Sequence, residues 1–138
     1  MKKVLPFYIL TIISLFAVFA YASVTLQYFT GKTNSDGILL EWKTADEGGT
    51  SYFEIERSAN APDNFVSIKQ ITATGNNSYY TYQDNGVLQD PKASSSIYFY
   101  RLKCVLPSGS YSYSYTISVT HSVSGIKSTW GSIKAIFR

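Results

Sequence analysis

The sequence is poor in the residues that carry most enzyme and metal chemistry. It holds one cysteine, Cys104, one histidine, His121, and four prolines in 138 residues. A lone cysteine cannot close an intramolecular disulfide. One cysteine and one histidine cannot supply the four ligands of a Cys/His zinc site. Charge is scarce too, with 12 Lys plus Arg and 9 Asp plus Glu making 15% of the chain, while aromatics reach 16%. A disordered chain shows the opposite bias, so most of this one is expected to fold. Its length suits about one domain and leaves no room for a cleft between two. Serine and threonine are abundant, but none sits in a nucleophile elbow. The sequence therefore predicts no enzyme, no cofactor and no metal.

What is present begins at the N-terminus. Met1-Lys2-Lys3 precedes a stretch with no charge until Lys32. A basic start, an apolar run from Val4 and the small-x-small end Ala20-Tyr21-Ala22 fit a secretory signal peptide over residues 1–22, cut before Ser23. No cysteine lies near that bond, which does not support the lipoprotein route. An uncleaved anchor is the alternative, because the run is about long enough to cross a bilayer. Without Lys2 and Lys3 the chain keeps 10 basic groups against 9 acidic ones. No basic stripe for nucleic acid is left. The expected location is outside the cytoplasm, in the periplasm or at the cell surface.

Residues 23–121 read as short strands with period two, divided by turn residues. The first covers Val24 to Thr30, with Val24, Leu26 and Tyr28 sharing a face. Asn34-Ser35-Asp36-Gly37 is a strong turn. Ile38, Leu40 and Trp42 then share a face, as do Phe53 and Ile55 in the next strand. Phe65 to Ile71, Tyr79 to Tyr82 and Ile97 to Val105 follow. In the last of these, Tyr98, Tyr100, Leu102 and Cys104 alternate with Arg101 and Lys103. The seventh strand sets Tyr111, Tyr113, Tyr115, Ile117 and Val119 against Ser and Thr. Seven such strands predict an all-β sandwich of two antiparallel sheets.

Several of these segments carry a resemblance. Trp42, Thr44-Ala45-Asp46-Glu47, Phe53-Glu54-Ile55-Glu56-Arg57-Ser58, Phe65, Tyr82-Gln83-Asp84, Tyr98-Phe99-Tyr100-Arg101-Leu102-Lys103 and Gly109 before Tyr111-Ser112-Tyr113-Ser114 stand in order. Over residues 24–120 the chain resembles a fibronectin type III-like module of secreted and envelope proteins of the Bacteroidetes. The resemblance implies a seven-stranded fibronectin type III/immunoglobulin-like sandwich that serves as a spacer, adhesion or assembly element. It implies no activity. The acidic loop that such modules often carry after the Arg-Leu-Lys strand is replaced by Cys104-Val105-Leu106-Pro107-Ser108-Gly109.

Individual residues refine the reading. Trp42 is expected in the core and Cys104 as a buried thiol acting as a small hydrophobe. Tyr98 is a candidate for a tyrosine corner. His121 is read as a surface residue. Glu54 and Glu56 face one way and are expected to pair with Arg101 and Lys103 across the sheet. Tyr113 and Tyr115 are expected to pack inward, with Tyr111 exposed at the strand start.

Residues 122–138 do not fit the module. Ile126, Trp130, Ile133 and Phe137 are spaced four, three and four apart, on one face of an amphipathic helix. Lys127, Lys134 and Arg138 lie elsewhere on it. This tail, with Tyr111, is the candidate interaction site, docking on an envelope protein or a membrane surface. The alternative is a tail folded back over its own sandwich. The functional expectation is a non-catalytic structural or protein-interaction module of the cell envelope, without nucleic-acid or small-molecule substrate. The second reading is a carbohydrate- or peptide-binding module that uses surface tyrosines.

Overall fold

The computed structural model describes residues 23–89 and 96–122. The expected signal segment and all of the C-terminal tail after Ser122 lie outside them, including Ile126, Lys127, Trp130, Ile133, Lys134, Phe137 and Arg138. The described strands are β1 (Thr25–Asn34), β2 (Gly37–Asp46), β3 (Tyr52–Ala59), β4 (Val66–Thr72), β5 (Tyr79–Asp84), β6 (Ser96–Val105), β7 (Tyr111–Tyr113) and β8 (Ile117–His121). A 3-10 turn, Gly86–Gln89, follows β5. Strands β1-β2-β5 form one sheet, and β4-β3-β6 with β7 and β8 beside β6 form the other. All pairings are antiparallel.

Apolar residues at alternate positions of β2, β3 and β6 meet between the sheets. Ile38, Leu40, Trp42, Phe53, Ile55, Tyr100 and Leu102 are completely buried. Trp42 lies at the centre, stacked on Tyr80 at 5.1 Å and edge-on to Phe29 and Phe53. Cys104 is buried in the same cluster. Burying each large side chain contributes about 1.5–3 kcal/mol, which makes this row the main stabiliser of the fold.

Polar clasps tie the ends of the sandwich. Arg57 on β3 donates through one nitrogen to both oxygens of Asp84 on β5, at 2.9 and 2.8 Å. The Tyr100 hydroxyl on β6 donates to the same carboxylate at 2.8 Å, and the Gly86 N–H at 3.0 Å. One buried carboxylate thus joins both sheets to the turn after β5. Burial works against the charge on Arg57, but the hydrogen bond and charge of Asp84 outweigh it and raise its pKa. Burial, then the Asp84 charge, drives the Tyr100 phenol far above its ordinary range. Tyr98 is buried, with the Arg57 guanidinium 5.7 Å above its ring. At the other end, buried Glu47 accepts from Tyr80 at 2.5 Å, Thr44 at 3.2 Å and the Gly75 N–H at 2.9 Å.

Three bulges change which side chains enter the core. In β1, register shifts around Gln27 turn Tyr28 outward and bring Phe29 opposite Trp42. In β4, Lys69 pairs with Ile55 but Ser67 with Glu56, so Ile68 is an extra residue. Ile68 and Ile71 both reach the core as a result. The third bulge divides the expected seventh strand into β7 and β8. Tyr113 pairs with Lys103, but Ile117 pairs with Tyr100, so four steps on one chain span three on the other. Ser114 sits at the break, its N–H donating to the Leu102 carbonyl and its hydroxyl accepting the Leu102 N–H, both at 2.8 Å. One inserted residue reverses the faces beyond it. Tyr113 is therefore outward at 45% exposure, not in the core. Tyr115 is exposed too, although its ring lies 6.1 Å from that of Phe29. His121, read from sequence as a surface residue, turns inward with Val119 and is buried.

Candidate functional site

The outward face of the larger sheet is built from the alternate positions that the core does not use. On β6 these are Arg101 and Lys103, and on β3 they are Glu54 and Glu56. The register sets Glu56 opposite Arg101 and Glu54 opposite Lys103. Ion pairs follow, at 2.7 Å from Arg101 Nε to Glu56 and 3.5 Å from Lys103 Nζ to Glu54. The sequence-based pairing is thus observed. Burial pulls the Lys103 pKa down, but the charge and hydrogen bond of Glu54, with smaller contributions from Tyr113 and Glu56, together outweigh it, and the net shift is upward.

Aromatic rings frame these cations. The Arg101 guanidinium lies 4.1 Å from the ring centre of Phe65 and 3.9 Å from that of Tyr113. Lys103 Nζ stands 4.5 Å from the Tyr111 ring. Tyr111 and Tyr113 meet edge to face at 5.4 Å, with 66° between their planes. Both remain exposed, Tyr111 at 56%. Each ring is therefore held by a cation before any partner arrives, which reduces the side-chain entropy lost on binding. Tyrosine and arginine are also the residue types enriched at protein interfaces.

Beside this face runs the seam between the start of β1 and β7. It forms a groove of about 310 Å³ lined by Val24, Leu26, Cys104, Ser112, Tyr113 and Tyr115. A second recess of similar size continues past Cys104 to Thr50, Leu106 and Tyr111. Burial pushes the Cys104 thiol up to about 12. At neutral pH it is protonated, a weak nucleophile and a poor metal ligand. Among the described residues no group of three or more His, Cys, Asp or Glu could hold a metal ion. Among them, too, no helix is long and apolar enough to cross a membrane.

Of the sequence-based candidates, Tyr111 stands on this face, while the seven tail residues lie outside the described part. Sequence reasoning missed Tyr113, Arg101, Lys103 and Phe65 as members of one cluster. The alternation of β6 already placed Arg101 and Lys103 outward. The bulge at Ser114, which turns Tyr113 to join them, had no signal in the tyrosine-serine repeat.

Comparison with protein-family models, with curated proteins and with solved structures finds no match.

Proposed function

We propose that this chain is a non-catalytic structural or protein-interaction module of the bacterial cell envelope, of the fibronectin type III-like kind. The observation that carries the reading is the exposed Tyr111–Tyr113 pair, pinned over Lys103 and Arg101 beside a groove. Two antiparallel sheets and a second-strand tryptophan at the centre support the module type. The charge sequence of the N-terminus supports export to the periplasm or surface, with an uncleaved anchor as the other route. In this reading the sandwich presents a rigid aromatic face. The tail then adds a second contact to an envelope protein or membrane surface through Ile126, Trp130, Ile133 and Phe137.

The carbohydrate reading needs coplanar exposed rings, and the 66° between Tyr111 and Tyr113 disfavours it. A quantitative pulldown from solubilised envelope tests the proposal, using the full chain, the Tyr111→Ser/Tyr113→Ser double variant and a chain ending at Gly125. Recovery of one defined partner should fall with both changes while the melting midpoint of the double variant stays within a few degrees. If both altered chains retain full recovery, the proposal fails. If truncation lowers the midpoint and leaves recovery intact, the tail covers its own sandwich.

A further inference from the structure

The sheets of the described residues end in four edges: β1 and β5 in one, β4 and the β7–β8 line in the other. A free edge is a row of unpaired backbone groups, and most sequences blunt it with bulges, charge or proline. Three edges here are blunted. β1 has two register shifts and Lys32. β4 has a bulge and Lys69. β7 is three residues long and broken from β8 at Ser114. β5 is different. It pairs with β2 over six residues with no register shift, and it contains no Lys, Arg, Pro or Gly.

The direction of its backbone groups can be read from one bond. The Ser78 carbonyl accepts the Thr44 N–H at 2.9 Å, toward β2. Backbone direction alternates along an extended strand, so Tyr80 and Tyr82 also turn toward β2. Tyr79, Thr81 and Gln83 then turn their N–H and C=O groups to the open edge. Among the described residues no backbone group outside β2 bonds to these three. Tyr79 and Thr81 are exposed as well.

We propose that β5 pairs with β5 of a second copy, antiparallel about a two-fold axis at Thr81, fusing two three-stranded sheets into one. The edge itself selects this occupant. Its unpaired groups demand an extended strand, and its sequence is complementary to its own reverse. Thr81 meets Thr81, a favourable cross-strand pair, and Tyr79 meets the second copy's Gln83. The one charged residue of β5, Asp84, is buried and held by Arg57, so no unpaired charge stands at the junction. Glu41 lies opposite Thr81 on β2, so the two Glu41 side chains are three strand spacings apart, about 14 Å. That exceeds the screening length of about 8 Å at physiological salt. Each Glu41 is also engaged by Tyr79 at 2.5 Å and Lys32 at 3.8 Å. This surface belongs to the smaller sheet and leaves the Tyr111–Tyr113 face free.

Thr81→Pro tests the proposal. It removes an outward N–H from each copy and leaves the bonds between β5 and β2 in place, as proline on a sheet edge allows. Sedimentation equilibrium of the full chain in mild detergent should show a monomer–dimer equilibrium. Thr81→Pro should weaken it at least about tenfold, because two hydrogen bonds between the copies are lost, with an unchanged circular dichroism spectrum. Should that variant fail to fold, Thr81→Lys serves instead: its dimer should weaken and recover partly with salt as the like charges are screened. Amide exchange at Tyr79, Thr81 and Gln83 should slow as concentration rises. A wild-type chain that stays monomeric, or a dimer insensitive to whichever substitution folds, overturns the proposal. Thr81→Pro should leave recovery of the envelope partner intact, so this pairing and the proposed docking face stand or fall separately.

Discussion

Trp42 shows most directly how one residue decides the fold. Its ring stacks on Tyr80 and meets Phe29 and Phe53, with no exposed surface. Trp42→Ala should cost about 3–5 kcal/mol, measured from urea unfolding. Glu54→Ala should cost less than about 1 kcal/mol, because it removes a partly exposed ion pair. Equal midpoints for wild type and Trp42→Ala would refute the assignment. Cys104 gives a pH test. Its thiol pKa rises from an ordinary 9.0 to about 12 in the folded chain through burial. A raised folded value means that this contribution is fully present below pH 9 and is lost between 9 and 12, as the unfolded chain ionises first. Stability should fall across that window, and Cys104→Ala should flatten the fall. An identical slope in the variant would contradict the burial argument.

At the scale of elements, the hairpin between β1 and β2 depends on Gly37. Its φ is +122°, and a Cβ there would lie 2.2 Å from the Asp84 carbonyl oxygen. Gly37→Ala must therefore push β2 away from the β5 end that holds the Arg57–Asp84–Tyr100 clasp. A loss of at least about 2 kcal/mol is expected, and unchanged stability would show that the hairpin can relax freely. The Asn34-Ser35-Asp36-Gly37 turn was legible because its residue types state their backbone needs. The alternation of Ile38, Leu40 and Trp42, and of Tyr98 through Cys104, was legible for a similar reason, since period two in a paired strand separates core from solvent. Bulges were not. An extra residue at Gln27, Ile68 or between Tyr113 and Ile117 leaves composition and spacing unchanged, yet it exchanges the faces beyond it. Tyr113 was misplaced by that effect, whereas His121 keeps the phase of Ile117 and Val119 and was misplaced because the strand was read as ending before it. The side that Tyr113 takes is set by the hydrogen bonds exchanged between Ser114 and Leu102 on another strand, which no local pattern encodes.

At the scale of the whole molecule, the sandwich supplies two outward faces and the open edge of β5. The larger sheet carries the cation-framed tyrosines, and the groove beside them ends near Ser23. If the N-terminal segment is a signal peptide, intact mass from an envelope fraction should show a chain that begins within two residues of Ser23. A chain that keeps residues 1–22 would favour the anchor. The central claim is that the Tyr111–Tyr113 face meets another protein. The most direct measurement places a photo-crosslinking side chain at Tyr113 and, in a separate chain, at Thr30, an exposed position on the smaller sheet. Both full-length chains are irradiated in intact cells, and adducts are read by mass spectrometry. One dominant protein adduct is expected from position 113 and little from position 30. Equal adducts from both positions, or none from 113, would contradict the claim.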